Sequence, residues 1–174
     1  MRLFIAFEFD KETKKKLCDI LSSYKELGVL GNYTDKDNLH LTLAFLGNVN
    51  TGVDTIKKII DYVSLNTKEF VLKGTGTKSF KIRDKRLLYY AFLENDECNK
   101  CVSDLRCLLK KNRIYFDEKE FKPHITLIRE ASDKAINKDI KLDINISSIS
   151  LMESKRIEDK LKYIELYKKE FKRW

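Results

Sequence analysis

Apolar and polar positions along this chain follow two different periods. Ranges with a period of about two predict strands, because successive side chains of a strand point to opposite faces. These ranges are 2–9, 38–46, 69–75, 86–93, 121–129, 140–151 and 160–171. The last two predict a closing pair of long strands, since Leu142, Ile144 and Ile146 alternate with polar residues.

Three amphipathic helices are predicted between the strands. Their ranges are 10–27, Thr51 or Asp54 through Leu65, and 95–111. In the first helix, Asp10 is a suitable N-cap and Gly28 a suitable end. The apolar face of that helix consists of Leu17, Ile20, Leu21, Tyr24 and Leu27. Helices that alternate with strands predict a mixed α and β fold.

No linker divides the chain into separate units. Its 174 residues are enough to bury a core, and no stretch rich in Pro, Gly or Ser separates two halves. We therefore expect one domain over residues 1–174. Segment 74–78 contains two glycines but lacks the spacing of a phosphate-binding loop, so we expect it to bend the chain between two strands.

Both histidines of the chain lie in the same four-residue phrase. The two copies are His40-Leu41-Thr42-Leu43 and His124-Ile125-Thr126-Leu127. The chain has 9 Thr, so the chance that both histidines have Thr two residues later is on the order of 0.003. We interpret the repetition as a functional pair rather than as two unrelated surface or core histidines.

On a strand, the phrase would place its polar side chains together. The imidazole and the hydroxyl two residues later share one face, about 7 Å apart, and the apolar residues anchor the other face in a core. Two such strands facing each other would form a cleft with two imidazoles and two hydroxyls. Imidazoles move protons near neutral pH and hydroxyls donate to phosphoryl oxygens, so the set suits phosphate chemistry.

The two phrases and their flanks resemble the 2H phosphoesterases, a family named for two His-x-Thr/Ser motifs. Within that family they are most similar to the RNA 2′,3′-cyclic phosphodiesterases, also called 2′-5′ RNA ligase-like proteins. The resemblance extends over nearly the whole chain. It rests on residues 1–7, on the motifs with their flanks at 38–47 and 121–129, and on a weaker pattern of Leu151, Glu153, Ser154 and Tyr163.

This resemblance implies an α+β fold of two pseudo-symmetric lobes, each an antiparallel sheet with flanking helices, around a central cleft. It also implies metal-independent hydrolysis of an RNA 2′,3′-cyclic phosphate end to a 2′-phosphate. His40 and His124 would be the general base and the general acid, and the sequence does not say which is which. The rate would then depend on pH in a bell shape. Joining of tRNA halves by a 2′-5′ linkage would be a secondary activity in vitro.

Further site residues are expected around the two histidines. Thr42 and Thr126 would donate hydrogen bonds to the phosphoryl oxygens. By strict alternation Arg129 would share the face opposite to His124, so it either supports the motif or contacts the phosphate. Aromatic residues near the motifs could stack on a base, although such residues are more often part of a core. These candidates are Tyr33, Phe45, Tyr115 and Phe121.

Charge and composition agree with an RNA substrate without identifying one. The formal net charge of +8 favours a polyanionic partner, but the lysine bias of an AT-rich genome would give the same charge. We expect the lysine run 14–16 to be a solvated face. Two other functions stay open: a 2H phosphodiesterase for a small cyclic phosphate or a 2′-5′ oligonucleotide, and a non-catalytic RNA-binding module.

We expect neither a metal nor another cofactor. No carboxylates have metal-ligand spacing, and Cys98 and Cys101 lack a second pair of ligands, so their role stays open. No segment has the roughly 18 apolar residues of a membrane helix, and the N-terminus lacks the pattern of a signal peptide. We therefore expect a cytoplasmic monomer that acts on RNA ends, with tRNA fragments as candidate substrates.

Overall fold

Two antiparallel sheets form the frame of the protein in the computed structural model, which describes residues 1–173. The strands are β1 Arg2–Phe7, β2 Asn32–Tyr33, β3 Leu41–Asn48, β4 Phe70–Ile82, β5 Lys85–Phe92, β6 His124–Ala131, β7 Asp143–Ile146, β8 Ser148–Ile157 and β9 Lys160–Glu170. The helices are α1 Lys11–Glu26, α2 Val53–Leu65 and α3 Asp96–Lys111, and a short 3-10 helix covers Lys36–Asn38. Trp174, the last residue of the expected domain, lies outside the described residues.

The order of strands is β3-β1-β8-β9 in the first sheet and β2-β6-β5-β4-β7 in the second. The strands that carry the two histidine phrases, β3 and β6, therefore belong to different sheets. Side chains from both sheets and from α1, α2 and α3 join one cluster of buried apolar residues. The predicted α+β fold with two lobes of antiparallel sheet is confirmed. Within residues 1–173, none of the helices combines the length and the apolar character needed to cross a membrane.

Helix α1 begins where the sequence predicts and ends one residue earlier. Asp10 Oδ1 accepts a hydrogen bond from Thr13 N at 2.8 Å, which caps the first turn. Four residues of the predicted apolar face are buried: Leu17, Ile20, Leu21 and Tyr24. The placement of Leu27 on that face was wrong. Leu27 is the C-cap and 44% exposed, because Gly28 turns the chain away with a φ of 78°.

The predicted strand 140–151 is two strands in different sheets. The break lies at Ser147, whose carbonyl accepts from Phe171 N at 2.8 Å. Strand β7 before the break pairs with β4, whereas β8 after it pairs with β1 and β9. Residues 148–152 of β8 are all buried, because this strand lies inside its sheet with covered faces on both sides. Only β8 and β9 form the closing hairpin that the sequence predicted.

The prediction that segment 74–78 bends the chain between two strands was wrong. The segment lies inside β4. Gly74 is needed there because a Cβ at this position would overlap the side chain of Tyr90 on β5. The Tyr90 hydroxyl donates to Ile140 O at 2.8 Å and accepts from Leu142 N at 2.7 Å. The glycine thus allows a buried tyrosine to anchor the segment before β7. As a result, β4 continues to Ile82 and forms a long hairpin with β5.

Candidate active site

The two histidine phrases meet between the sheets. His124 is the first residue of β6, and His40 immediately precedes β3. Strands β3 and β6 contact each other although they belong to different sheets. His124 is also among the groups whose electrostatic effect lowers the pKa of His40. The fold therefore brings together the two residues that the sequence pattern singled out.

Each motif strand contains a β-bulge directly after its threonine. In β3, Thr42 and Ala44 pair with adjacent residues of β1, so Leu43 is an extra residue. The same shift occurs in β6 between Thr126 and Ile128, which pair with adjacent residues of β5. Each bulge shifts the alternation by one position, so the side chains that follow it change faces.

The bulge in β6 moves Arg129 to the side of the motif residues, which corrects the prediction from strict alternation. Leu127 and Ile128 are both buried, and Arg129 after them is exposed. The positive charge of Arg129 also lowers the pKa of His40. Arg129 therefore lies on the same face as Thr126 rather than on the opposite face.

The β6 strand is bonded to the segment that leads into the first motif. Thr34 N donates to Leu127 O at 2.9 Å, and Thr34 Oγ1 donates to Thr126 O at 3.0 Å. The carbonyl of the bulged leucine, which has no regular ladder partner, is satisfied in this way. Thr34 lies six residues before His40, so the second motif helps to place the first.

Arg106 of α3 makes the reciprocal connection on β3. Its Nε and Nη2 donate to Leu43 O at 3.1 and 2.9 Å, and its Nη1 donates to Lys119 O at 2.7 Å. Phe45 O also accepts from Asp117 N at 2.9 Å. Asp117 and Lys119 belong to the segment that leads into the second motif. Each motif strand is thus bonded to the approach of the other motif.

Contacts on several sides fix the ring of His40. Its Nδ1–H donates to Asn38 O at 2.7 Å, and its Nε2 lies 2.7 Å from Thr42 Oγ1. The rings of Phe4 and Tyr163 each lie 4.9 Å away, centroid to centroid. A carbonyl can only accept, so the neutral ring carries its proton on Nδ1. Nε2 is then the nitrogen available for proton transfer.

Asn38 links the first motif to β9. Its Nδ2 donates to Leu161 O at 2.9 Å, and its Oδ1 accepts from Tyr163 N at 3.2 Å. The side chain is buried, so these two bonds satisfy polar atoms that would otherwise be costly to bury. Because its own carbonyl holds His40, Asn38 positions both the imidazole and the tyrosine that packs against it.

Burial keeps His40 neutral at pH 7. Desolvation lowers its pKa from the ordinary 6.5 to about 4, and the hydrogen bond to Asn38 O only partly opposes this shift. Electrostatic interactions with Arg129, His124 and Lys14 lower the pKa further. The site thus holds one imidazole in the form that can accept a proton.

His124 has the same backbone contact but a different exposure. Its Nδ1–H donates to Lys122 O at 2.7 Å, as His40 does to the carbonyl two residues before it. The Tyr89 ring of β5 stands edge-on at 5.8 Å, centroid to centroid. His124 is exposed, whereas His40 is partly buried. The two motifs therefore orient their rings alike and differ in access to solvent.

One of the predicted stacking residues, Phe45, lies beside the site. Counted from the bulge, Phe45 of β3 occupies the position that Arg129 occupies in β6. It is 50% exposed, and its ring lies 6.1 Å from that of Phe4, which contacts His40. Phe45 is therefore available for contact with a ligand at the first histidine.

The structure does not bring the other aromatic candidates to the histidines. Tyr33 pairs with Ile128 on the core side of β6, and its hydroxyl donates to Val29 O at 2.7 Å. Phe121 packs against the core, with its ring 5.8 Å from the Arg106 guanidinium. Tyr115 is 73% exposed in the segment after α3.

An ion pair beside His40 was not foreseen from the sequence. Lys14 Nζ lies 3.5 Å from Glu8 Oε2, and both side chains are only 16% exposed. Burial raises the pKa of Glu8 above the usual 4.5, and Lys14 opposes this shift. Lys14 is thus not the solvated lysine that the run 14–16 suggested. The sequence did hold a sign that Lys14 is partly buried, because it lies three residues before Leu17 and so on the buried face of α1.

The cysteines form no site with other ligating residues. Cys98 and Cys101 are buried in α3, and burial raises the pKa of each thiol to about 12. They are therefore protonated thiols in the core at pH 7. Among residues 1–173, no three His, Cys, Asp or Glu side chains are grouped as metal ligands would be.

Comparison with known proteins identifies the family. The family model of LigT-like phosphoesterases matches residues 7–89. An RNA 2′,3′-cyclic phosphodiesterase of Thermotoga maritima is 32% identical over 135 residues, which are 74% of this chain and 70% of that protein. The chain belongs to the LigT-like phosphoesterase family. A second relative with the same name, from Archaeoglobus fulgidus, is 33% identical over 133 residues, 74% of this chain and 72% of the relative.

Solved structures show the same LigT-like fold. TT0787 of Thermus thermophilus superposes with a TM-score of 0.82 at 23% identity, covering 98% of both chains. Apo LigT of E. coli superposes with a TM-score of 0.77 at 22% identity, covering 98% of this chain and 96% of LigT. The predicted membership of the 2H phosphoesterases is confirmed, and with it the prediction that this LigT-like protein is an enzyme.

The pKa of His40 can be measured directly by NMR, because a chain with two histidines gives only two imidazole C2–H signals. The signal that disappears in His40→Gln belongs to His40. We expect the His40 signal to titrate with a midpoint of about 4. The unfolded chain binds this proton near pH 6.5, so the free energy of unfolding should fall as the pH drops from 6.5 towards 4, by about 3 kcal/mol in total. His40→Gln should reduce that loss in denaturant titrations. A His40 midpoint at or above 6.5 would contradict the conclusion that burial lowers this pKa.

Arg106→Met should lower the free energy of unfolding by about 2–3 kcal/mol, because it leaves Leu43 O and Lys119 O without their donors. Lys100→Met on the same helix is the matched control. Lys100 is exposed and pairs only with Asp104, so its loss should cost no more than about 0.5 kcal/mol. Equal losses in urea denaturation would show that Arg106 has no special structural role.

Proposed function

We propose that this LigT-like phosphoesterase hydrolyses a 2′,3′-cyclic phosphate at an RNA end to a 2′-phosphate. The main support is the pair of interacting imidazoles, each held through Nδ1 by a backbone carbonyl. Two proton-transfer groups in one site suit a displacement in which a nucleophile loses a proton and a leaving group gains one. The names of the relatives described above favour the same substrate class.

In this mechanism His40 is the general base. It is neutral at pH 7, so its Nε2 can take a proton from the water that attacks phosphorus. Thr42 contacts Nε2 in the resting site, and its hydroxyl would turn to a phosphoryl oxygen when substrate binds. Base strength is limited by the low pKa, but the neutral form of His40 predominates at pH 7.

His124 is the general acid in the same mechanism. It would donate its Nε2 proton to the 3′ oxygen as the bond between that oxygen and phosphorus breaks, on the side opposite to the attacking water. One imidazole gains a proton and the other loses one, and exchange with solvent restores both. The exposure of His124 suits this exchange.

Three side chains would stabilise the phosphoryl oxygens as negative charge develops. Thr42 and Thr126 offer hydroxyl donors, and Arg129 offers a guanidinium, which the bulge in β6 places on the same side. Phe45 is the candidate for contact with the terminal base. We further propose that RNA fragments such as cleaved tRNA halves are substrates, that the protein acts as a monomer, and that ligation is a secondary reversal of the cleavage chemistry.

The first test is hydrolysis of an oligoribonucleotide that ends in a 2′,3′-cyclic phosphate, in the presence of EDTA. Wild-type protein should form the 2′-phosphate, and His40→Ala and His124→Ala should each reduce kcat at least about 100-fold, since each removes a proton-transfer group. Chromatography that resolves 2′- from 3′-phosphate ends gives the readout, and circular dichroism verifies the fold of each variant.

The other outcomes separate the alternative functions. Better turnover of a 2′,3′-cyclic mononucleotide than of RNA would favour a small cyclic phosphate as substrate. Salt-dependent RNA binding without turnover, unaffected by both substitutions, would favour a binding module. Turnover unaffected by either substitution would contradict the two-histidine mechanism.

Arg129→Gln should reduce kcat/KM about 100-fold, because a cationic donor to the phosphoryl group is lost. It should also raise the pKa of His40, since the charge of Arg129 lowers that pKa. Arg156→Gln is the matched control, because Arg156 is an exposed arginine near the tip of the β8–β9 hairpin. An unchanged His40 titration in Arg129→Gln would show that the guanidinium does not act on the site.

A further inference from the structure

The hairpin of β4 and β5 exposes apolar side chains on the face that carries the second motif. Tyr89 pairs with Thr126, so the two side chains share a face. Across the hairpin Tyr89 pairs with Lys78, and Phe80 pairs with Leu87. Alternation then places Phe80 and Ile82 on this same face. They are 49% and 51% exposed, which is unusual for large apolar residues that point to one surface.

A chain of aromatic rings connects this surface to the catalytic centre. The Phe80 ring lies 6.0 Å from the Tyr89 ring, and the Tyr89 ring lies 5.8 Å from that of His124. Strand β6 pairs with β5 only as far as Arg86. Phe80 pairs with Leu87, inside the part of β5 that β6 also flanks, and only the Ile82–Lys85 pair and the turn extend beyond Arg86. The exposed apolar face therefore continues from the site across these strands to the end of the hairpin.

The same hairpin is strongly basic. Residues 78–86 contain five basic side chains and one acidic one. Arg86 is engaged by Asp133 at 3.4 Å, on the other face. The remaining cations are exposed: Lys78 and Lys85 lie on the apolar face, Arg83 lies in the turn beside it, and Lys81 lies on the face of Arg86. Cations beside an exposed aromatic ring complement a single-stranded nucleic acid, whose phosphates need positive charge and whose bases need a stacking partner.

We propose that the face formed by Lys78, Phe80, Ile82 and Lys85, here called the hairpin platform, binds the nucleotides that precede the cyclic phosphate end of an RNA strand. A base stacks on Phe80, and the lysines contact the backbone phosphates. This inference rests on the proposed function, because it takes the strand end to lie at His124. It adds a preference for substrate length: a mononucleotide fills only the catalytic centre, whereas a longer strand reaches the platform.

The test compares two substrates, adenosine 2′,3′-cyclic phosphate and a hexaadenylate that ends in a 2′,3′-cyclic phosphate. Phe80→Ala should lower kcat/KM for the hexanucleotide about 5- to 100-fold, chiefly through KM, because one stacking contact is lost. Turnover of the mononucleotide should change less than about twofold. Tyr62→Ala is the matched control, because Tyr62 is a 55% exposed aromatic residue on α2, outside the hairpin, and should affect neither substrate.

The outcomes separate this proposal from the proposed function. Unchanged kcat/KM for both substrates, or an equal fall for both, would overturn the platform while leaving the two-histidine chemistry intact. If wild-type protein hydrolyses neither substrate, the proposed function fails, and fluorescence anisotropy with a fluorescein-labelled hexaadenylate 3′-phosphate decides the platform separately. Weaker binding by Phe80→Ala and by Lys78→Ala at constant salt would support it, and binding equal to wild type would overturn it.

Discussion

The position of the two histidines depends on reciprocal bonds between the motif strands. Thr34, in the approach to the first motif, donates to two carbonyls of β6, and Arg106 joins a carbonyl of β3 to the approach of the second motif. On each strand the carbonyl of the bulged leucine, Leu127 or Leu43, accepts at least one of these bonds, because it lacks a regular ladder partner. The bulges therefore do two things at once. They shift Phe45 and Arg129 to the side of the threonines, and they provide the acceptors that tie one lobe to the other.

The site is symmetric in backbone and asymmetric in chemistry. Both rings donate from Nδ1 to the carbonyl two residues earlier, which leaves Nε2 of each ring free of that backbone contact. Only His40 is enclosed by Phe4 and Tyr163, and this enclosure explains why desolvation dominates its pKa. The proposed two-histidine reaction would need one neutral and one protonated ring, and the enclosure of His40 favours the neutral form there.

The features of the fold and the site that depend on local sequence pattern could be predicted from the sequence. The repeated phrase singled out His40 and His124 as a pair, and periodicity located α1 and most strands. The position of Arg129 could not be predicted by alternation, since one inserted residue reverses every later face. The adjacent apolar pairs Leu43-Ala44 and Leu127-Ile128 were the visible sign of this shift. The division of 140–151 between two sheets was not predictable, because Ile residues on both sides of Ser147 fit a strand in either sheet.

The two sides of the cleft differ in chemistry because equivalent positions of β3 and β6 carry different side chains. Phe45 and Arg129 follow their bulges at the same distance, yet one offers an aromatic ring and the other a charge. A cyclic phosphate bound between them would experience its strongest attraction on the β6 side, and its base would find apolar surface on the β3 side. In the proposed binding mode the remaining strand would follow β5, where Tyr89 and then Phe80 continue the series of rings from His124. The bulge in β6, which places Arg129 on the side of Thr126, would then set the phosphate end of that path.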